Sequence, residues 1–330
     1  MDRRTFLTLS APAAVGALYA PQALAANWAD TGIGDIEKAL AAFRRLPGRT
    51  SYVLKVGRPA RPWRAGHNEN ARLFVGSAIK TFILTKYLQD VEAGRLSEDE
   101  QRTVDDAVRS LSSPVFLNLT GTTPARSVLE AMITHSDNTA TDMALAQVGA
   151  DRVRAFITKA GLASAEIPDS TRILLSYLAG APYGDDVGWA GMQVIADGGF
   201  FGTPRSPMNN RVTMKCSAAD FVSYYERALR GRYFRKEATL TEFRRIQAMA
   251  DAIPRIVPPG IAAWAKGGSI EWQGFNCICV PGQMLIGARV PATFCFNVNW
   301  DGPPSTIPEV SAEFAATVLK VLTRTAEAFG

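Results

Sequence analysis

Three short stretches of the chain set nucleophiles and cations at spacings that can do chemistry. In the first, Gly76-Ser77-Ala78-Ile79-Lys80 opens a segment whose apolar residues Ile83, Leu84, Tyr87, Leu88 and Val91 recur with helical period. Ser77 and Lys80 are three apart, so a helix projects both from one face, a turn apart. Lys80 also lies on the apolar stripe, ahead of Leu84 and Tyr87. A lysine on a buried face has its charged form disfavoured, and it can take a proton from a hydroxyl one turn away, which makes Ser77 a nucleophile. Read singly, these residues equally fit an N-cap serine and a lysine whose stem lies along the surface. The second stretch, His135-Ser136-Asp137-Asn138, falls in a turn between two helical segments, where Ser136 or Asp137 also fits as the N-cap of a helix starting near Thr139. In the third, Lys266-Gly267-Gly268-Ser269, a strand lysine is followed by two glycines that let a substrate backbone approach closely. Lys266 and Ser269 together offer a charge and a hydroxyl to a carboxylate.

The elements that must hold these residues follow from periodicity. Residues 36–46 read as a helix stopped by Pro47-Gly48, residues 50–56 as a strand, and a second short strand falls near Trp63. From Ser77 to about Asn210 helices and loops dominate, with helical segments at residues 128–133, 139–148 and 151–160. Helices resume after Ser217, through Phe221, Tyr224, Tyr225 and Leu229. The tail reverts to strands at residues 262–270, 275–280, 284–290 and 293–300, and a last helix lies within residues 308–328. Strands at both ends of a helical middle predict an α+β fold: an antiparallel sheet flanked by helices, with an inserted all-helical lobe. The expected division is an α/β lobe of residues 26–74 and 216–330 and a helical lobe of residues 75–215.

Composition narrows the partners. Arg3-Arg4-Thr5-Phe6-Leu7 precedes an apolar run to about Ala20, and Ala23-Leu24-Ala25 makes a small-x-small cleavage site, so residues 1–25 read as a twin-arginine export signal. The mature protein, residues 26–330, is then expected in the periplasm or outside the cell, without stable insertion in a membrane. Of 330 residues, 47% are hydrophobic and 20% charged, values of a globular protein with an ample core. The net charge of +5 is spread thinly, and the basic stretches at residues 44–49 and 227–236 are too short to track a phosphate backbone, which argues against nucleic acid. The four cysteines (Cys216, Cys277, Cys279 and Cys295) and two histidines (His67 and His135) match no familiar zinc spacing, so no metal and no cofactor is expected. The cysteines read as small buried hydrophobes, with a disulfide to Cys295 open in an oxidising compartment.

Taken together, Ser77-Ala78-Ile79-Lys80, Ser136-Asp137-Asn138 and Lys266-Gly267-Gly268 occur in the order of the Ser-x-x-Lys, Ser-Asp-Asn and Lys-Thr-Gly motifs. The chain therefore resembles the class A β-lactamases and penicillin-binding proteins, over roughly residues 36–328. The flanks from Glu130 to Asp142 and Pro258-Pro259-Gly260 look like that family too. The resemblance implies that Ser77 is the acylated nucleophile, Lys80 its proton partner and Ser136 a proton relay to the leaving group. It further implies that Asn138 holds the substrate amide, that Lys266 and Ser269 bind its carboxylate, and that the N–H groups of Ser77 and Ser269 form the oxyanion hole. A small-molecule β-lactam, ester or peptidoglycan-like substrate and a monomeric protein are expected.

Two departures qualify the match. Gly267 stands where the family carries Thr or Ser, and Ser269 is the residue available to compensate. After Gly161 the Glu-x-x-Leu-Asn loop, whose glutamate activates the deacylating water, is missing; residues 165–175 offer only Glu166 and Asp169, neither in that pattern. Acylation machinery is thus legible and the usual deacylation machinery is not. The expected function is β-lactam hydrolysis through an acyl-serine, with an esterase or D-alanyl-D-alanine peptidase and a slowly deacylating binding protein as alternatives. A Ser-His-Asp hydrolase built on His135 is disfavoured, because no serine sits in a Gly-x-Ser-x-Gly elbow.

Overall fold

The computed structural model describes residues 31–57 and 62–330; the expected export signal, residues 1–25, lies outside the described residues. The chain begins with α1 (Thr31–Phe43), β1 (Arg49–Val56), β2 (Trp63–His67), β3 (Leu73–Phe74), α2 (Lys80–Glu92), β4 (Gln101–Val104) and β5 (Gly121–Pro124). Then come α3 (Ala125–Thr134), α4 (Asn138–Val148), α5 (Ala150–Lys159), α6 (Thr171–Leu178) and α7 (Gly188–Ala196). β6 (Lys215–Cys216) leads to α8 (Ala218–Ala228), α9 (Glu237–Gln247) and the single turn α10 (Ile253–Ile256). The chain closes through β7 (Ala262–Ala265), β8 (Gly268–Trp272), β9 (Phe275–Ile286), β10 (Val290–Asp301) and α11 (Ile307–Phe329).

The main sheet is antiparallel in the order β2-β1-β10-β9-β7, and β8 pairs β9 beyond the end of β7. This is the α+β architecture expected from the sequence. Strand alternation sends neighbouring residues to two different cores. Tyr52, Leu54 and Val56 of β1 pack with Ile36, Leu40 and Phe43 of α1 and Phe314, Val318 and Val321 of α11. Val53 turns the other way, into a core with Phe74, with Phe82 of α2 and with Phe221 of α8. Helices thus cover both faces of the sheet, which is why β1 and β10 are almost continuously buried.

The tail differs from the expected strands in two places, for one reason. Residues 262–270 form two strands, β7 and β8, interrupted at Lys266-Gly267, while residues 275–286 form one strand through Pro281-Gly282. Lys266 N–H donates to Pro281 O at 3.2 Å, so that side of Pro281 faces the interruption. A residue's N and O point to the same side of a strand, so Pro281, which has no N–H, cannot return a bond to Lys266 O, and the ladder is interrupted there while its register runs on into β8. Residues 287–289, expected within a strand, are the turn from β9 to β10. In the middle of the chain, β4 and β5 pair as strands where helices and loops were expected. They are only four residues long, too short to show a period.

The helical core is tied by one buried charge. Asp90 near the end of α2 is fully buried, and its carboxylate accepts from Lys86, from Arg95 and, at 2.7 Å, from Arg152 on α5. Removing one partner from such a cluster strands the others. Asp90→Asn is expected to lower stability by about 3 kcal/mol in urea unfolding without changing the slope of the transition.

Candidate active site

The backbone ahead of Ser77 is fixed by polar side chains from the sheet. Asn297 and Asn299 lie on the face of β10 opposite its aromatic residues, and both donate to Phe74 O, at 3.1 and 2.9 Å. Asn299 Oδ1 accepts from Phe74 N–H at 2.9 Å. The chain then turns at Gly76, whose φ of +52° is in the left-handed region. Gly76–Ile79 is a 3-10 turn leading into α2, so Ser77 sits in that turn and Lys80 at the first α-helical position.

A second glycine completes this junction from the strand side. A Cβ at Gly268 would lie 2.1 Å from Val75 O and 2.8 Å from Ser77 N, and one at Gly76 would lie 2.8 Å from Ser269 N. Only two glycines facing each other allow this approach, and it brings the Ser77 and Ser269 amides together. Two N–H groups at one point can receive a developing oxyanion.

Lys80 is fully buried. Its Nζ donates to Ser136 O at 2.6 Å and to Asn138 Oδ1 at 2.7 Å, with Ser136 Oγ at 3.4 Å. Burial lowers the Lys80 pKa well below that of a free lysine, and the charge of Lys266 lowers it further, against the opposing pull of Asp137 and Asp142. An uncharged amine that donates two N–H bonds keeps a lone pair, with which it can accept the Ser77 proton.

Ser136 occupies the left-handed region at φ +60°, a conformation that costs an L-residue roughly 1–2 kcal/mol. Its neighbours hold it there. Lys80 grips its carbonyl, and Asp137 caps α4 by accepting from Ala140 N–H at 2.8 Å. The same carboxylate takes Val115 and Phe116 N–H at 2.9 Å each, which stitches the preceding loop to the turn. Asp137, not Ser136, is therefore the N-cap, and the Ser136 hydroxyl is left toward the site. Asn138 Nδ2 donates to Leu111 O at 2.9 Å. His135 is exposed at this turn.

Lys266 lies just past β7, 1% exposed, and donates to Gly267 O at 2.6 Å. Burial lowers its pKa to about 8, with Asp251 opposing. It therefore remains mostly protonated at neutral pH and can bind an anion. A Cβ at Gly267 would stand 3.1 Å from Ala252 Cβ, so the missing hydroxyl side chain corresponds to a crowded spot beside α10. Ser269, two residues on, is exposed.

Sequence reasoning missed Asp142. It follows Asn138 by one helical turn on α4, which was the available signal, and it is 7% exposed. Its carboxylate accepts from Thr171 N–H at 2.6 Å, Thr171 Oγ1 at 2.8 Å and Arg172 N–H at 3.1 Å, so it docks the first turn of α6. Burial raises its pKa to about 6, opposed by these donors and by Lys80. The two carboxylates weighed for deacylation are engaged elsewhere: Glu166 with Arg72 and, at 3.6 Å, with Lys215, and Asp169 with Arg154. Among the described residues no group of three or more His, Cys, Asp or Glu could hold a metal ion, and all four cysteines are free and buried. No described helix is long and apolar enough to cross a membrane.

The chain matches the model of the beta-lactamase enzyme family over residues 36–277. In sequence, no curated protein matches it. In structure it is similar to a beta-lactamase from Sphaerobacter thermophilus, with 18% identity, a TM-score of 0.67, and coverage of 89% of this chain and 97% of that one. A beta-lactamase from Chitinophaga pinensis aligns with 15% identity and a TM-score of 0.69, covering 90% of this chain and 100% of that one. PBP-A aligns with 16% identity and a TM-score of 0.66, covering 89% and 96%.

Two variants test the geometry. Gly268→Ala forces Val75 and Ser77 backbone apart, and acylation of Ser77 should fall by at least about 100-fold in a stopped-flow assay. Asp142→Asn removes a negative charge that raises the Lys80 pKa. The acid limb of the acylation rate should then move to lower pH, read from a rate–pH profile between about pH 4 and 9.

Proposed function

Because the chain belongs to the beta-lactamase enzyme family of serine hydrolases, we propose that it hydrolyses β-lactams through an acyl-enzyme on Ser77. The observation that carries this reading is the Lys80 amine, buried beside Ser136 and Asn138 one turn from Ser77. Ser77 Oγ attacks the lactam carbonyl while its proton passes to Lys80. The oxyanion forms against the Ser77 and Ser269 amides, and on collapse the C–N bond breaks. The nitrogen leaving group takes its proton from the Ser136 hydroxyl, which is replenished from Lys80, so charge and protons balance at the acyl-enzyme. Lys266, still protonated near pH 7, and the exposed Ser269 hydroxyl bind the substrate carboxylate, and Asn138 orients its amide. Water then hydrolyses the ester. The similarity to solved beta-lactamases and to PBP-A supports the same acyl-serine framework.

A second reading is favoured by the ion pairs of Glu166 and Asp169. With both carboxylates held by arginine, the acyl-enzyme is expected to be released slowly, as suits an esterase, a D-alanyl-D-alanine peptidase or a binding protein. Export through the twin-arginine route, inferred from Arg3-Arg4 and the apolar run behind them, would deliver the enzyme to the compartment where cell-wall fragments and β-lactams are met.

Intact mass against time after mixing with a cephalosporin tests the proposal. Product accumulating with no lasting adduct, and lost in Ser77→Ala, is the expected result. A lasting adduct that Ser77→Ala abolishes supports the second reading, and neither adduct nor product would exclude β-lactams. Lys266 adds a pH test. As pH rises through about 8 its positive charge is lost, so KM for a carboxylate-bearing substrate should climb above pH 8 while kcat changes less.

A further inference from the structure

A cavity of about 470 Å³, lined by none of the candidate catalytic residues, opens beside the sheet, bounded by Trp264 of β7, Gln283 of β9, Arg230 after α8, Arg244 of α9 and Arg289 in the β9–β10 turn. Its volume is that of a small-molecule site. Three guanidinium-bearing residues share it. Among the described residues, Arg244 and Arg289 have no carboxylate partner. Arg244 gives one Nη2 bond of 2.6 Å to Leu229 O, which leaves further N–H groups. The acid beside the cavity, Glu226, is already matched: it meets Lys55 at 2.8 Å and Arg230 only at 3.5 Å.

Uncompensated guanidinium groups around a concave site are suited to carboxylate and phosphate oxygens, which they bind in a planar, two-pronged way. Trp264 supplies a flat apolar wall for the body of such a ligand. We propose that this cavity is a second binding site, for a small molecule carrying two or more anionic oxygens. Trp264 lies on β7 and lines the cavity, which gives an optical reporter in the site itself.

The test is titration of the mature protein with citrate and with inorganic pyrophosphate at low salt, followed by calorimetry and by tryptophan fluorescence. Saturable one-to-one binding with a sub-millimolar Kd for at least one probe is expected, and which probe binds tighter tells polycarboxylate from phosphate. The double variant Arg230→Ala/Arg289→Ala changes two exposed side chains, and it should weaken binding by about tenfold or more. Trp264→Phe should remove the fluorescence change, and Lys266→Gln, which empties the catalytic carboxylate site of its charge, should leave the Kd unaltered. No saturable binding of either probe up to about 10 mM would overturn the proposal. So would binding that survives in the double arginine variant and disappears in Lys266→Gln, since that places the anion in the catalytic cleft.

Discussion

Burying one amine is the constraint on which the rest of this structure depends. Lys80 has no contact with solvent, yet its Nζ needs hydrogen-bond acceptors and an environment that tolerates two protonation states. The turn at residues 135–138 meets that demand by offering a carbonyl and an amide oxygen, and it does so only by holding Ser136 at positive φ. The strain at Ser136 and the burial of Lys80 therefore explain each other. Asp137, which fixes this turn with three backbone N–H bonds, does no chemistry itself, yet it sets where the serine hydroxyl points.

The nucleophile is located by a different means, backbone against backbone. The side chains of Asn297 and Asn299 grip Phe74 on both its N–H and its C=O, and Gly76 and Gly268 then let the serine turn and β8 approach closer than any Cβ would permit. The interruption of the strand pairing at Lys266-Gly267 belongs to the same design. It falls where Pro281 has no N–H to return to Lys266, and past it the register continues into β8. The candidate catalytic groups thus come from three separate parts of the chain.

Much of this was legible in the sequence because the three motifs carry their chemistry in short, ordered spacings. The helical period at Ile83, Leu84 and Tyr87 placed Lys80 on a buried face, and it is buried. The α+β class followed from strands at both ends of the chain. Strand limits in the tail were less legible, since Pro281-Gly282 reads as a turn and only its register beside the Lys266 gap makes it a strand. Asp142 was missed for another reason. Its partners on α6 lie 29 and 30 residues away, so its spacing from Asn138 was the signal left in the sequence.

Lys266 also acts on Lys80. Its charge is the second cause, after burial, of the low Lys80 pKa. A substrate carboxylate arriving at Lys266 would cancel that charge at short range, so the repulsion felt at Lys80 would fall and its affinity for a proton would rise. In the proposed mechanism that gain comes at the step where Lys80 takes the Ser77 proton, so a bound anion would strengthen the proton acceptor beside the nucleophile. On this reasoning the carboxylate pocket has a role beyond orientation. In the proposed mechanism it would couple recognition of the correct anion to activation of Ser77, and a neutral ester of the same shape would gain the position without the basicity.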